Sequence, residues 1–143
     1  MSNIISVSGI DSSGKSTQIN NLKDYLEINN YKVKIIWSRG GYTNGLQYMK
    51  NLIRQLKPDV LPPSGLNIKR EQMFRNVKTQ RLWLLFAILD LIRLYGINIR
   101  LLNYLGYRVI CDRYLWDTYI DFKMNFPSIN FEKWTIWRLL VLI

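Results

Sequence analysis

A chain of 143 residues is the size of one ordinary domain and buries roughly 70% of the surface its unfolded form exposes. Its composition is globular, 48% apolar and 21% charged, and its one cysteine, Cys111, excludes an intramolecular disulfide. Histidine is absent, which excludes histidine-ligated metals, Ser-His-Asp triads and imidazole acid–base chemistry. Twenty basic residues against ten acidic ones give a net charge of +10. That balance suits a polyanionic partner: nucleotide phosphates, nucleic acid or an anionic membrane surface.

The first element is the β-branched run Ile4-Ile5-Ser6-Val7-Ser8, which ends at Gly9 and reads as a buried strand. From Lys15 the period changes: Ile19, Leu22 and Leu26 share a helical face, with Asn29-Asn30 as the stop. Residues 31–37 (YKVKIIW) read as a second strand, 38–45 as a loop and 46–57 as a helix closed by Pro58. Pro62-Pro63-Ser64-Gly65 marks a surface loop. Residues 71–94 read as one long helix, broken at Gly96, with a short helix at 99–105 stopped by Gly106. Residues 107–111 (YRVIC) form a third strand ending at Asp112, and helices are expected at 115–125 and 131–142, on either side of Pro127.

The apolar stretch 82–94 is interrupted by Asp90 and Arg93 and falls short of the ~20 residues that span a bilayer. It reads as a core helix. The N-terminus shows no basic region ahead of its apolar run, so no signal peptide is expected and the location is cytoplasmic, with no membrane partner. Strand–helix alternation with short apolar strands predicts an α/β fold with a parallel sheet flanked by helices. The whole chain, 1–143, reads as a single domain. It ends inside the apolar run Leu139-Leu140-Val141-Leu142-Ile143, where a domain incomplete at its C-terminus is expected.

Chemistry concentrates in Gly9-Ile10-Asp11-Ser12-Ser13-Gly14-Lys15-Ser16-Thr17, which matches G-x-x-x-x-G-K-[ST] in full between a strand and a helix. In such a loop successive backbone N–H groups cradle a phosphate, and the following helix contributes its positive dipole end. Lys15 would reach the β- and γ-phosphates and the Ser16 hydroxyl would bind Mg²⁺, with ATP as the nucleotide. The second signal is Asp112-Arg113-Tyr114 at the end of the third strand. An aspartate at a strand's carboxyl end can hold a metal-bound water, and an arginine can clamp phosphate through two parallel hydrogen bonds.

The order G-I-D-S-S-G-K-S-T, then L-L-F-A on a long helix, then G-Y-R-V-I-C-D-R-Y resembles thymidylate kinase and its relatives, the P-loop nucleoside monophosphate kinases. The resemblance runs from about residue 4 to 118 and implies a three-layer P-loop NTPase fold, with the lid and last strands beyond residue 143. It also implies that Asp11 contacts the acceptor sugar, that Phe86 stacks on the acceptor base, and that Arg113, with Tyr114 beside it, grips the acceptor phosphate. Arg39, in Arg39-Gly40-Gly41-Tyr42-Thr43, stands where the family has Arg-Glu-Pro-Gly-Gly-Thr. Four residues past Phe86 the family has a second phosphate-binding arginine, whereas this chain has Asp90.

The expected activity is therefore transfer of the γ-phosphoryl of ATP to a nucleoside monophosphate, thymidylate by resemblance, with small-molecule nucleotide substrates and a homodimer as one possible assembly. A monophosphate acceptor is already ionised near neutral pH and needs no general base. Two alternatives stand beside it: a kinase acting on a hydroxyl of a sugar, nucleoside or lipid precursor, and a non-catalytic nucleotide-binding module with a nucleic-acid partner. No recognition-helix signature or RNA-binding aromatic pair supports the latter. The basic residues Lys69, Arg70, Arg75, Lys78 and Arg81 read as a solvated face, Trp83, Trp116, Trp134 and Trp137 as core, and Cys111 as an inert buried thiol.

Overall fold

The computed structural model describes residues 3–10, 12–39, 43–56 and 75–143. Strand β1 (Ile4–Val7) leads through the glycine loop into helix α1 (Lys15–Ile28), and β2 (Lys32–Trp37) and α2 (Asn44–Leu56) follow. Helix α3 (Val77–Ile92) passes through a π-helical turn (Arg93–Asn98) directly into α4 (Ile99–Tyr104). Strand β3 (Tyr107–Asp112), α5 (Leu115–Asn125), a 3₁₀ turn (Phe131–Lys133) and α6 (Thr135–Leu142) complete the described chain.

The three strands form one parallel sheet in the order β1-β3-β2. Burial explains why the last strand takes the middle. Val109, Ile110 and Cys111 are all fully buried, whereas Ser6, Lys32 and Lys34 on the outer strands are exposed. A run apolar on both faces suits a central strand of a parallel sheet, covered above and below. Helix α1 packs on β2 and β3. Val109 and Cys111 face the main core, built from Leu84, Ala87, Ile88 and Leu91 of α3 with Phe122, Phe131, Trp137 and Leu140 from the C-terminal helices. The α3 positions follow i, i+3, i+4, i+7, so one helical stripe carries that contact.

The α/β class, the parallel sheet and its flanking helices agree with the sequence expectation. Several local expectations do not. Gly96 does not break the long helix: Ile92, Arg93, Asn98 and Ile99 all keep right-handed helical angles across it. A mid-helix glycine costs only about 1 kcal/mol, and buried Leu94, Tyr95 and Ile99 anchor both sides. The helix starts at Val77, capped by the Asn76 side chain, which accepts from the Lys78 N–H at 2.9 Å. Residues 71–74, like Lys57 and the proline loop, lie outside the described residues.

The 28-residue helix Val77–Tyr104 is long and apolar enough to cross a membrane by length and composition. Residues 82–94 therefore belong to a helix of membrane-spanning length rather than a short one, and that helix's buried face is part of the main core. The last expected helix is split: Trp134 adopts extended angles between the 3₁₀ turn and α6. Trp137 is buried, and Trp83 and Trp134 pack against the core, but Trp116 is 68% exposed. Arg75, Lys78 and Arg81 are exposed, as a solvated face requires.

Candidate functional site

Strand register sets the site. Val7 pairs with Asp112 and Asp112 pairs with Trp37, so all three strands end level and their following loops leave at one edge. Crevices at the carboxyl ends of parallel strands are where open α/β sheets bind ligands. A cavity of about 380 Å³ lies there, lined by Ser12, Gly14, Lys15, Ser16, Thr17, Trp37, Asp112 and Arg113.

The local backbone explains the loop's residues. Gly14 caps α1 with φ +80°, a left-handed conformation that L side chains rarely adopt. Ser12 has φ 64° and Arg113 has φ 73°, both in the left-handed region, which non-glycine residues occupy at a cost of roughly 1–3 kcal/mol. Such strain gathers at functional edges when surrounding contacts hold it. Here the Arg113 N–H donates to the Val7 carbonyl at 3.0 Å, and the Ser38 hydroxyl donates to the Arg113 carbonyl at 3.2 Å. Ser38 is itself fully buried and bonded at 2.8 Å to the Tyr95 hydroxyl. Because the Ser38 proton goes to Arg113, the Tyr95 hydroxyl is the donor of that second bond. Burial raises the Tyr95 pKa, the Ser38 bond only partly opposing it, so the phenol keeps the proton it donates.

Lys15 folds back onto its own loop, donating Nζ–H to the Ile10 carbonyl. Asp112 lines the cavity, and its Oδ1 is buried with no hydrogen-bond partner. A buried carboxylate oxygen without a donor is costly and calls for an explanation such as a cation or its water. Asp117, in the first turn of α5, accepts from the Ser8 hydroxyl at 2.5 Å and from the Tyr114 N–H at 3.1 Å, tying the start of α5 to the end of β1. Cys111 is buried beside the site with its thiol pushed up to about 11 by desolvation, so it is no nucleophile.

The remaining expected residues are distributed less closely. Gly9 and Ser13 belong to the loop but do not line the cavity, and Asp11 lies outside the described residues. Arg39 pairs with Asp121, Nε to Oδ2 at 2.8 Å, rather than lining the cavity. Tyr114 does not line it either: its ring packs on Tyr95 with centroids 4.6 Å apart, and burial raises its pKa. Phe86 lines a second cavity of about 290 Å³ with Gly45, Leu46, Leu89, Asp90 and Arg93. A third, of about 390 Å³, runs along β2 and shares Trp37 with the first and Gly45 and Arg93 with the second. The three cavities are therefore neighbours, adjoining through these shared residues.

Three contributors escaped the sequence reading. Trp37, 49% exposed at the end of β2, gave a signal in being the aromatic last residue of a predicted strand. Arg93 interrupts an apolar run, but its i, i+3 spacing from Asp90 marks an ion pair on one helix face. Tyr95 carried no signal, because its aim depends on the π turn. Among the described residues no cluster of three or more acidic or thiol groups is poised to hold a metal. A single cation held by Ser16, Asp112 and ligand oxygens is what the donor set allows, and hard oxygens of this kind suit Mg²⁺. Comparison of the chain with protein-family models, curated proteins and solved structures finds no match.

Proposed function

We propose that this chain is an ATP-dependent phosphotransferase of the P-loop NTPase class that moves the γ-phosphoryl group onto a nucleoside monophosphate, the acceptor class the sequence resemblance implies. The observation that carries the reading is the meeting of Lys15, Ser16, Asp112 and Arg113 around one cavity at the sheet's carboxyl edge. Two of these come from the glycine loop and two from a strand end nearly a hundred residues later.

The residues divide the work by their chemistry. Backbone N–H groups between Gly9 and Ser16 and the α1 dipole receive the donor's phosphates. Lys15 exchanges the Ile10 carbonyl for a phosphate oxygen and neutralises charge on the transferring group. Ser16 and Asp112 would hold Mg²⁺, whose chemistry when bound is to neutralise charge spread over the donor's phosphates. Arg113, which lines the same cavity, would clamp the acceptor phosphate with its guanidinium so that nucleophile and leaving group lie in line. The acceptor phosphate attacks as an anion, so the step needs no histidine base.

The test is ATP consumption against a panel of nucleoside monophosphates, nucleosides and sugars, with Lys15→Ala as control. Transfer that requires a monophosphate and falls by at least about 10²-fold in a folded Lys15→Ala protein supports the reading. Near-normal turnover in that variant would refute it.

A further inference from the structure

We infer that the pocket around Phe86 selects an amino-bearing pyrimidine, cytosine rather than thymine or uracil, with Asp90 as the side chain that reads the ring. This rests on the proposed function for what the pocket holds. The ring preference comes from the side chains themselves.

Phe86 and Leu89 offer a half-exposed apolar wall beside buried Leu46. At about 290 Å³ the pocket is at the small end for ligand sites, which favours one ring over the two of a purine. Asp90 stands one helical turn beyond Phe86 on the same face, and its side chain is only 9% exposed. Its Oδ1 accepts both contacts from Arg93, 3.1 Å from Nε and 2.9 Å from Nη2. Its Oδ2 is buried and has no hydrogen-bond partner. The pair is packed in: a Cβ on Gly45 would come within 2.7 Å of Asp90 Oδ1 and closer still to Arg93 Nη2. Only glycine lets the start of α2 approach this closely.

An ionised carboxylate accepts hydrogen bonds and donates none, so the group this site lacks is a donor. Asp90 and Arg93 both line the pocket, and a donor on a ligand seated there would satisfy Oδ2. Cytosine places its 4-amino group there, a pairing carboxylates make with this base. Its N3, an acceptor next to that amine, then faces the guanidinium of Arg93. Thymine and uracil present a carbonyl oxygen at the same corner, acceptor against acceptor. Turned to offer N3–H, they bring a carbonyl on each side of it toward the carboxylate. The same negative charge repels the acceptor's phosphate, which orients the ring toward Asp90 and the phosphate toward Arg113.

The test is isothermal titration of the chain with cytidine and uridine monophosphates, a matched pair differing at C4 and N3 of the ring, in the absence of ATP. The expected result is roughly 10- to 100-fold tighter binding of the cytidine nucleotide. Asp90→Asn, whose amide both accepts and donates, should narrow that ratio to within about threefold. Equal affinities, a uridine preference, or a ratio unchanged in Asp90→Asn would overturn the inference. Should Asp90→Asn fail to fold by circular dichroism, the wild-type comparison decides alone. Base preference without ATP-dependent transfer would sink the kinase reading and leave this one standing. ATP binding at the glycine loop with no base preference would do the reverse.

Discussion

At the residue scale, Arg113 combines two demands that pull against each other. The residue lines the cavity, yet its backbone sits at φ 73°, where any side chain bearing a Cβ pays roughly 1–2 kcal/mol. Arg113→Ala and Arg113→Gly should therefore separate chemistry from strain. Both should lower kcat/KM for the acceptor by roughly 10- to 200-fold, from loss of a charge-assisted pair of ~1.5–3 kcal/mol. The glycine variant should be about 1 kcal/mol more stable than the alanine variant in urea denaturation. Equal stabilities would show that the strained conformation relaxes once the arginine is gone. Cys111 gives a pH test. Burial raises its folded pKa to about 11, while in the unfolded chain the thiol ionises near its ordinary ~8.5. Stability is then unaffected below the unfolded value and declines as pH rises toward 11, by up to ~1.4 kcal/mol per pH unit. Urea melts at pH 8 and pH 10.5 should show a smaller alkaline loss in Cys111→Ala than in wild type, the remainder coming from Tyr95 and Tyr114, whose pKa values are also raised. An identical loss in both proteins would contradict the assignment.

At the element scale, the π turn between α3 and α4 matters most. It carries buried Tyr95 to the strand ends, where the phenol reaches Ser38 and Ser38 in turn reaches Arg113. Wide helical turns of this kind recur at functional sites because they re-aim a side chain without ending the helix. Tyr95→Phe keeps the ring that packs on Tyr114 and removes only the donor to Ser38. It should cost about 1 kcal/mol of stability and raise the acceptor KM severalfold with ATP affinity unchanged. A stability loss with no change in acceptor KM would reduce the contact to simple packing. This turn also shows where sequence reading stops. Gly96 has the local signature of a helix stop, but burial of Leu94, Tyr95 and Ile99 on its two sides overrides that weak preference. The glycine loop and Asp112-Arg113 were legible because their chemistry lies in contiguous residues beside a strand end. The Asp90–Arg93 pair is a local i, i+3 contact, but Trp37 and Tyr95 acquire meaning only once the long helix shares a core with β3, a tertiary fact no short window contains.

At the scale of the whole molecule, strand order turns separate motifs into one site. The most buried strand, β3, takes the centre, and its register sets Asp112 level with Val7 on one side and Trp37 on the other. The +10 net charge then suits a site that gathers phosphates. Mapping of backbone amide shifts on addition of Mg²⁺ and ATP tests this arrangement most directly. The largest changes should fall on residues 9–17, on Trp37 and on Asp112 and Arg113, saturating together as one binding event. Saturable changes centred elsewhere, or none at millimolar nucleotide, would contradict it.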